Sequence, residues 1–114
     1  MSTNLYLVFS RKPDRISRDD YHDWYVKHAQ ENIESPRFVS AQRYVIREVE
    51  AGKEVGEEQH LALYEYEDDM SIWRTDLTRR IEEGDVVLPD FFKEIQFRSW
   101  KCTPVGDLLR PTRR

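Results

Sequence analysis

The sequence predicts an α+β fold in which a four-stranded antiparallel sheet carries two helices on one face. Three observations lead there. Runs of β-forming residues occur at four places, two segments between them have helical apolar spacing, and the order is β-α-β-β-α-β. At 114 residues there is room for one such domain with one core. We place it at residues 1–106 and read 107–114 as a C-terminal tail.

The first strand is "LYLVF", Leu5 to Phe9, a nearly continuous apolar run of good β-formers. "SRKPDRIS" breaks it with Pro13 and Asp14. Ser17, followed three residues later by Asp20, resembles a capping box and opens a helix from about Arg18 to Asn32. Pro36 stops that helix, because the residue before a proline is pushed out of helical geometry. "RFVSAQRYVIREVE" alternates as a strand, with Phe38, Ser40, Gln42, Tyr44 and Ile46 on one face and Val39, Ala41, Arg43 and Val45 on the other. "EAGKEVGEEQ" is polar and glycine-containing, an exposed hairpin loop whose acidic run is a solvated surface.

His60 to Tyr66 is the third strand. Its two faces are His60, Ala62, Tyr64 and Tyr66 against Leu61, Leu63 and Glu65, and the sequence does not say which meets the first helix. Asp68 or Asp69 can cap a second helix, "DMSIWRTDLTRRI", with Met70, Trp73, Leu77 and Ile81 at helical spacing and Gly84 as a left-handed end. "DVVLPDFF" reads as a short extra turn, and "KEIQFRSWKCTP" as the fourth strand. This order is the split βαβ arrangement of ferredoxin-like folds. It leaves one sheet face bare, and a second copy of the chain is the economical cover, so a homodimer is expected.

Composition bounds the partners. Charged residues make up 35% of the chain and the net charge is −4, a balance without the basic patch that nucleic acid needs. No apolar stretch approaches membrane-spanning length, so no membrane partner is expected. The N-terminus has no signal-peptide pattern, and Cys102, the single cysteine, suits a reducing compartment; the expected location is cytoplasmic.

The candidate site lies on "YHDWYVKHAQEN". On a wheel of about 100° per residue, Tyr21, Trp24, Tyr25, His28 and Asn32 form one stripe, while Asp23, Lys27 and Gln30 point away. A single histidine on an apolar stripe is commonly a core residue satisfied by one hydrogen bond. Here its neighbours nearly all carry polar tips, which a dry core avoids because each unsatisfied buried group costs about 1–3 kcal/mol. A pocket accepts such groups easily. His28 is therefore expected to line a cavity as an acid–base group, with Tyr21 and Tyr25 as its partners in proton transfer. Trp24 is expected to be the apolar wall that lowers the histidine pKa by desolvation. Asn32, Tyr44, His60 and Tyr64 are candidates for substrate contact. His22 lies about 120° from His28, so the two do not share a metal through the spacing of zinc helices, and no metal is expected. Neither a nucleophile motif nor a glycine-rich phosphate loop is present.

The run "YHDWYVKHAQENIESPRFVSAQRY", continued by "LALYEYEDD" and "WKCTPVG", resembles the "FHxWYxxxH…PGF…RY" pattern of EthD-like members of the dimeric α/β-barrel superfamily over almost the whole chain. The resemblance implies a ferredoxin-like protomer, two sheets packed face to face in a homodimer, and a pocket between sheet and helices. Members include cofactor-independent monooxygenases, polyketide cyclases, decarboxylases, isomerases and haem-handling enzymes. The expected function is acid–base chemistry on a small cyclic or aromatic molecule without a cofactor, of lyase, cyclase, decarboxylase or isomerase type. The alternatives are a cofactor-independent monooxygenase and a non-catalytic binding dimer. One departure is that Arg37 stands where the pattern has glycine, so the turn is expected to be reshaped, or Arg37 to reach an acidic substrate group at a pocket rim.

Overall fold

The computed structural model describes residues 3–47 and 59–113. Its elements are β1 (Asn4–Arg11), α1 (Arg18–Ile33), β2 (Phe38–Val45), β3 (His60–Tyr66), α2 (Ser71–Glu82), a 3-10 turn (Asp90–Glu94) and β4 (Gln96–Cys102). The strands form one antiparallel sheet in the order β2-β3-β1-β4. This is the ferredoxin-like arrangement. The acidic hairpin lies outside the described residues apart from Gln59, whose carbonyl accepts from the Ile46 amide at 2.9 Å. Residues 103–113 follow β4 without a helix or strand.

Local chemistry accounts for the ends. The Ser17 hydroxyl accepts from the Asp20 amide at 3.1 Å, satisfying one of the donors a helix start leaves open. α1 runs one residue beyond the expected end, to Ile33. At α2 the N-cap position is Met70, and the Asp69 carboxylate one residue before it accepts from the Ser71 amide at 2.8 Å. The far end of α2 closes as a Schellman motif: Gly84, at φ 81°, donates to the Ile81 carbonyl and Asp85 to that of Arg80.

The strand faces are settled by burial. His60, Ala62, Tyr64 and Tyr66 look toward the helices, each at most 5% exposed, and Leu61, Leu63 and Glu65 look away. Val8 and Ser10 of β1 share the helix side, opposite Ala62 and His60. Val8, Ala62 and Tyr64, with Tyr21, Tyr25 and Ala29 of α1 and Ile95, build the core. In β2 the simple alternation fails. A bulge between Phe38 and Ser40 leaves Val39 unpaired, so Phe38 shares a face with Ala41, Arg43 and Val45 instead of with Ser40. The expected grouping of Phe38 with Tyr44 is thereby corrected.

Arg37 corrects a second expectation. The turn is not reshaped around it, because arginine takes the positive φ itself, at 81°. Its carbonyl accepts from the Glu67 amide at 2.7 Å, and its side chain lies 3.5 Å from Asp68.

α2 sits shallowly. None of its twelve residues is buried, and Ile81 is exposed. Trp73 holds it to the sheet through ring contacts with Tyr6 at 5.9 Å and Phe38 at 5.8 Å. A polar strap holds it to the end of α1: buried Ser35 donates to Asp76 at 2.7 Å and accepts from Arg80 at 2.6 Å, while Arg80 also bonds Asp76.

Candidate functional site

α1 lays its aromatic stripe on the helix face of the sheet, and the stripe divides into three neighbourhoods. Tyr21 is fully buried and donates to the Ser10 hydroxyl of β1 at 2.7 Å; its ring lies 5.0 Å from that of His60. One turn on, Tyr25 packs edge-on against Tyr21 at 5.6 Å, with the Arg43 guanidinium 4.5 Å over its ring. At the C-terminal end, Asn32 donates through Nδ2 to the Tyr64 hydroxyl at 3.1 Å, beside Tyr6 and Phe38. On the other flank Trp24 and His28 stack, with centroids 4.9 Å apart and planes 15° from parallel. Phe91 and Phe92 of the 3-10 turn close over them.

His28 is 8% exposed. Its ring is held by Trp24, Tyr25 and Phe92, so it is a closely surrounded residue. It is nevertheless not a satisfied one. Nδ1 is buried without a hydrogen bond, and the nearest carboxylate oxygen, on Glu31, is 3.8 Å away. Burial pushes the imidazole pKa down to about 4, as desolvation by the aromatic wall requires.

His60 is also buried with Nδ1 unpartnered, and its pKa is likewise pushed down to about 4. Burial is the larger cause, and the charges of Arg43, Arg18, Lys12 and His22 add to it. Burial acts oppositely on the phenols: Tyr64 is raised to about 12, and Tyr21 and Tyr25 are also raised. At neutral pH the neighbourhood therefore holds neutral imidazoles that can accept and neutral phenols that can donate. The two histidines differ in what protonation would cost. His28 has a carboxylate within reach of the imidazolium, whereas the charges acting most strongly on His60 are cations. His28 suits proton transfer, and His60 suits contact with an anion.

Of the residues singled out from sequence, Tyr21, Trp24, Tyr25, His28, Asn32, His60 and Tyr64 meet on the helix side of the sheet. Tyr44 does not. It pairs with Leu61 on the opposite face and is 48% exposed, because the bulge in β2 sets the register that turns it away. Arg37 sits at the other end of β2 from Arg43, paired with Asp68. Two polar residues were missed. Ser10 gave no signal beyond ending an apolar run. Arg43 did, as a cation in alternation with Val39, Ala41 and Val45. Among the described residues no group of three metal-ligating side chains comes together.

No family model and no curated protein matches the sequence. Among solved structures, the chain is similar to a protein of Shewanella loihica PV-4 described as a "putative monooxygenase". The match has a TM-score of 0.60 at 8% identity and covers 93% of this chain and 97% of that one. At that identity the likeness shows the shared fold.

Proposed function

We propose that this chain is an enzyme acting on a small cyclic or aromatic molecule by proton transfer, with His28 as the acid–base group. Tyr21 and Tyr25 are its phenolic partners, and Trp24, Asn32, His60 and Tyr64 provide substrate contacts. The observation that carries this reading is the buried Nδ1 of His28, left without a hydrogen bond beside Glu31. An unpaired buried polar atom costs about 1–3 kcal/mol, and such atoms are retained where a role offsets the cost. The carboxylate 3.8 Å away can stabilise the imidazolium formed when the ring takes a proton. Tyr25, held neutral by burial, can donate to an oxygen on which charge develops, while Tyr21 does so only by giving up its bond to Ser10. Reaching the ring requires Phe92, which packs edge-on against it in this state, to move.

The working unit in this proposal is a homodimer. Leu5, Leu7 and Phe9 of β1, Leu61 and Leu63 of β3, Tyr44 of β2 and Trp100 of β4 share the sheet face opposite the helices. The resemblance to EthD-like proteins supports both the dimer and the enclosed site. A second reading, cofactor-independent monooxygenation, is supported by the description of the Shewanella protein. It uses the same first step, since a deprotonated phenol or enol can pass an electron to dioxygen.

A thermal-shift screen of phenols, quinones, polyketide mimics and hydroxy acids tests the reading, run on wild type and His28→Gln together. A ligand stabilises by an amount that grows with its concentration over Kd. Hits that wild type converts and His28→Gln binds without converting support the proposal. Equal turnover by both proteins removes His28 from the chemistry. Consumption of dioxygen in step with product separates the monooxygenase from the lyase or isomerase.

A further inference from the structure

Arg43 is a half-buried cation whose best hydrogen-bonding edge is empty. Its Nη1 donates to His22 Nδ1 at 2.5 Å, so that imidazole nitrogen carries no proton, and the guanidinium plane lies over Tyr25. Its Nε is buried with no acceptor, and Nη2 makes no hydrogen bond among the described residues. Nε and Nη2 are the pair through which an arginine grips a carboxylate side-on. Arg15 uses that same edge on Glu94, with Nε 2.9 and 3.0 Å from its two oxygens. Among the described residues no carboxylate pairs with Arg43.

The surroundings are of the same kind. His60 is diagonal to Arg43 across the β2–β3 ladder, 5% exposed, with Nδ1 unpartnered. Arg18 of α1 and Lys12 after β1 add their charge around it. The Lys12 ammonium already bonds the Pro13 and Ile16 carbonyls, at 3.1 and 2.6 Å. The other titratable groups facing this corner are the Tyr21, Tyr25 and Tyr64 hydroxyls. The acids of the first turn of α1, Asp19 and Asp20, are exposed. A half-buried guanidinium whose Nε is buried without an acceptor is costly unless an anion completes it.

We infer that the Nε/Nη2 edge of Arg43, beside His60 at the Ser10 end of the sheet, binds the carboxylate of a small organic acid. The two oxygens of a carboxylate match the guanidinium edge, and a His60 ring with its proton on Nδ1 supplies a third donor. The inference rests on the reading that α1 and the sheet enclose a small-molecule site, and it narrows the ligand to acids.

The probe is benzoate, with benzamide as its uncharged counterpart, titrated into the full chain at constant ionic strength. Benzoate is expected to bind, and benzamide to bind at least about tenfold more weakly, since hydrogen bonds to a charged group are worth that much or more. Arg43→Gln should weaken benzoate by a similar factor. Arg43→Lys, which keeps the charge and loses the fork, should fall between. Should Arg43→Gln fail to fold, Arg43→Lys and the benzoate-to-benzamide ratio decide the matter. The His60 ring resonances locate the ligand, because a bound anion raises that imidazole's titration midpoint. Equal binding of benzoate and benzamide, no binding of benzoate, unchanged binding in both Arg43 variants, or an unmoved His60 midpoint overturns the inference. Benzoate needs no turnover, so a failure of the proposed chemistry leaves this result standing. Conversely, benzoate binding unchanged in both Arg43 variants, with turnover dependent on His28, would sink the acid site and keep the enzyme.

Discussion

Arg37 and Asp68 form an ion pair at 3.5 Å, and they are the two non-glycine residues at positive φ among the described residues, 81° and 60°. Each sits where the chain turns at the edge of the β2–β3 pair, and each faces the other. A side chain in left-handed geometry costs about 1–2 kcal/mol, while an exposed ion pair returns about 0.2–1 kcal/mol. Arg37→Gly removes both the strain and the pair and loosens the unfolded chain, so stability should change by less than about 1 kcal/mol. Arg37→Val loses the pair and adds β-branching at a positive φ, and should cost about 2 kcal/mol or more. Denaturant midpoints of the two variants check this; equal losses would mean that the backbone relaxes around any side chain.

Acid should destabilise the fold before its carboxylates protonate. His28 has a folded pKa of about 4 against 6.5 for the free group, so between these values the unfolded chain binds more protons. Stability therefore rises with pH across that window and is lost as pH falls from about 6.5 toward 4. For His28 the upper bound on the loss is roughly 3 kcal/mol. His60 contributes with the same sign. Urea melts at pH 7.0, 5.5 and 4.5 should show a falling midpoint, with a shallower fall in His28→Gln. A flat profile would mean that water reaches both rings.

Trp24 touches Tyr21, Tyr25, His28, Phe91 and Phe92, more rings than a simple pocket wall would. Trp24→Leu should accordingly cost about 1–3 kcal/mol, the range for shrinking a packed side chain. It should also raise the His28 pKa toward 6.5 by admitting water. An NMR titration of the ring reads the second effect, and an unchanged midpoint would assign the desolvation to Phe92 and the sheet.

The open sheet face should pair two chains. Wild type is expected to sediment as a dimer at micromolar concentration, with an interface of over about 2,000 Å². Leu63→Glu, which places a charge among the apolar residues of that face, should give folded monomer. A monomeric wild type would leave that face to another cover.

The fold was legible because its signals are local. Ser17 caps α1 and Gly84 ends α2 through chemistry that needs no tertiary partner. The stripe from Tyr21 to Asn32 was legible because helical period alone brings those residues to one side. What escaped was decided by neighbours. A bulge inserts one residue with no compositional mark, so the facing of Tyr44 could not be read from alternation in β2. Whether the His60 side of β3 met α1 depended on a sheet order that short strands do not encode. The close surroundings of His28 depended on Phe92, some sixty residues downstream. Arg43 stood in plain view as a cation on an otherwise apolar face.

The shallow seat of α2 has a kinetic consequence. A helix that buries none of its residues, held by one tryptophan and one strap of Ser35, Asp76 and Arg80, can lift away while the sheet and α1 stay closed. Its amides should then exchange with solvent deuterium through a local opening whose free energy lies well below that of global unfolding. The amides of β1 and β3, paired on both sides, should exchange only with the whole molecule. Cutting the strap with Arg80→Ala should speed exchange in α2 and leave the β1 and β3 rates nearly unchanged, which would make the helix a separate cooperative unit of the protein.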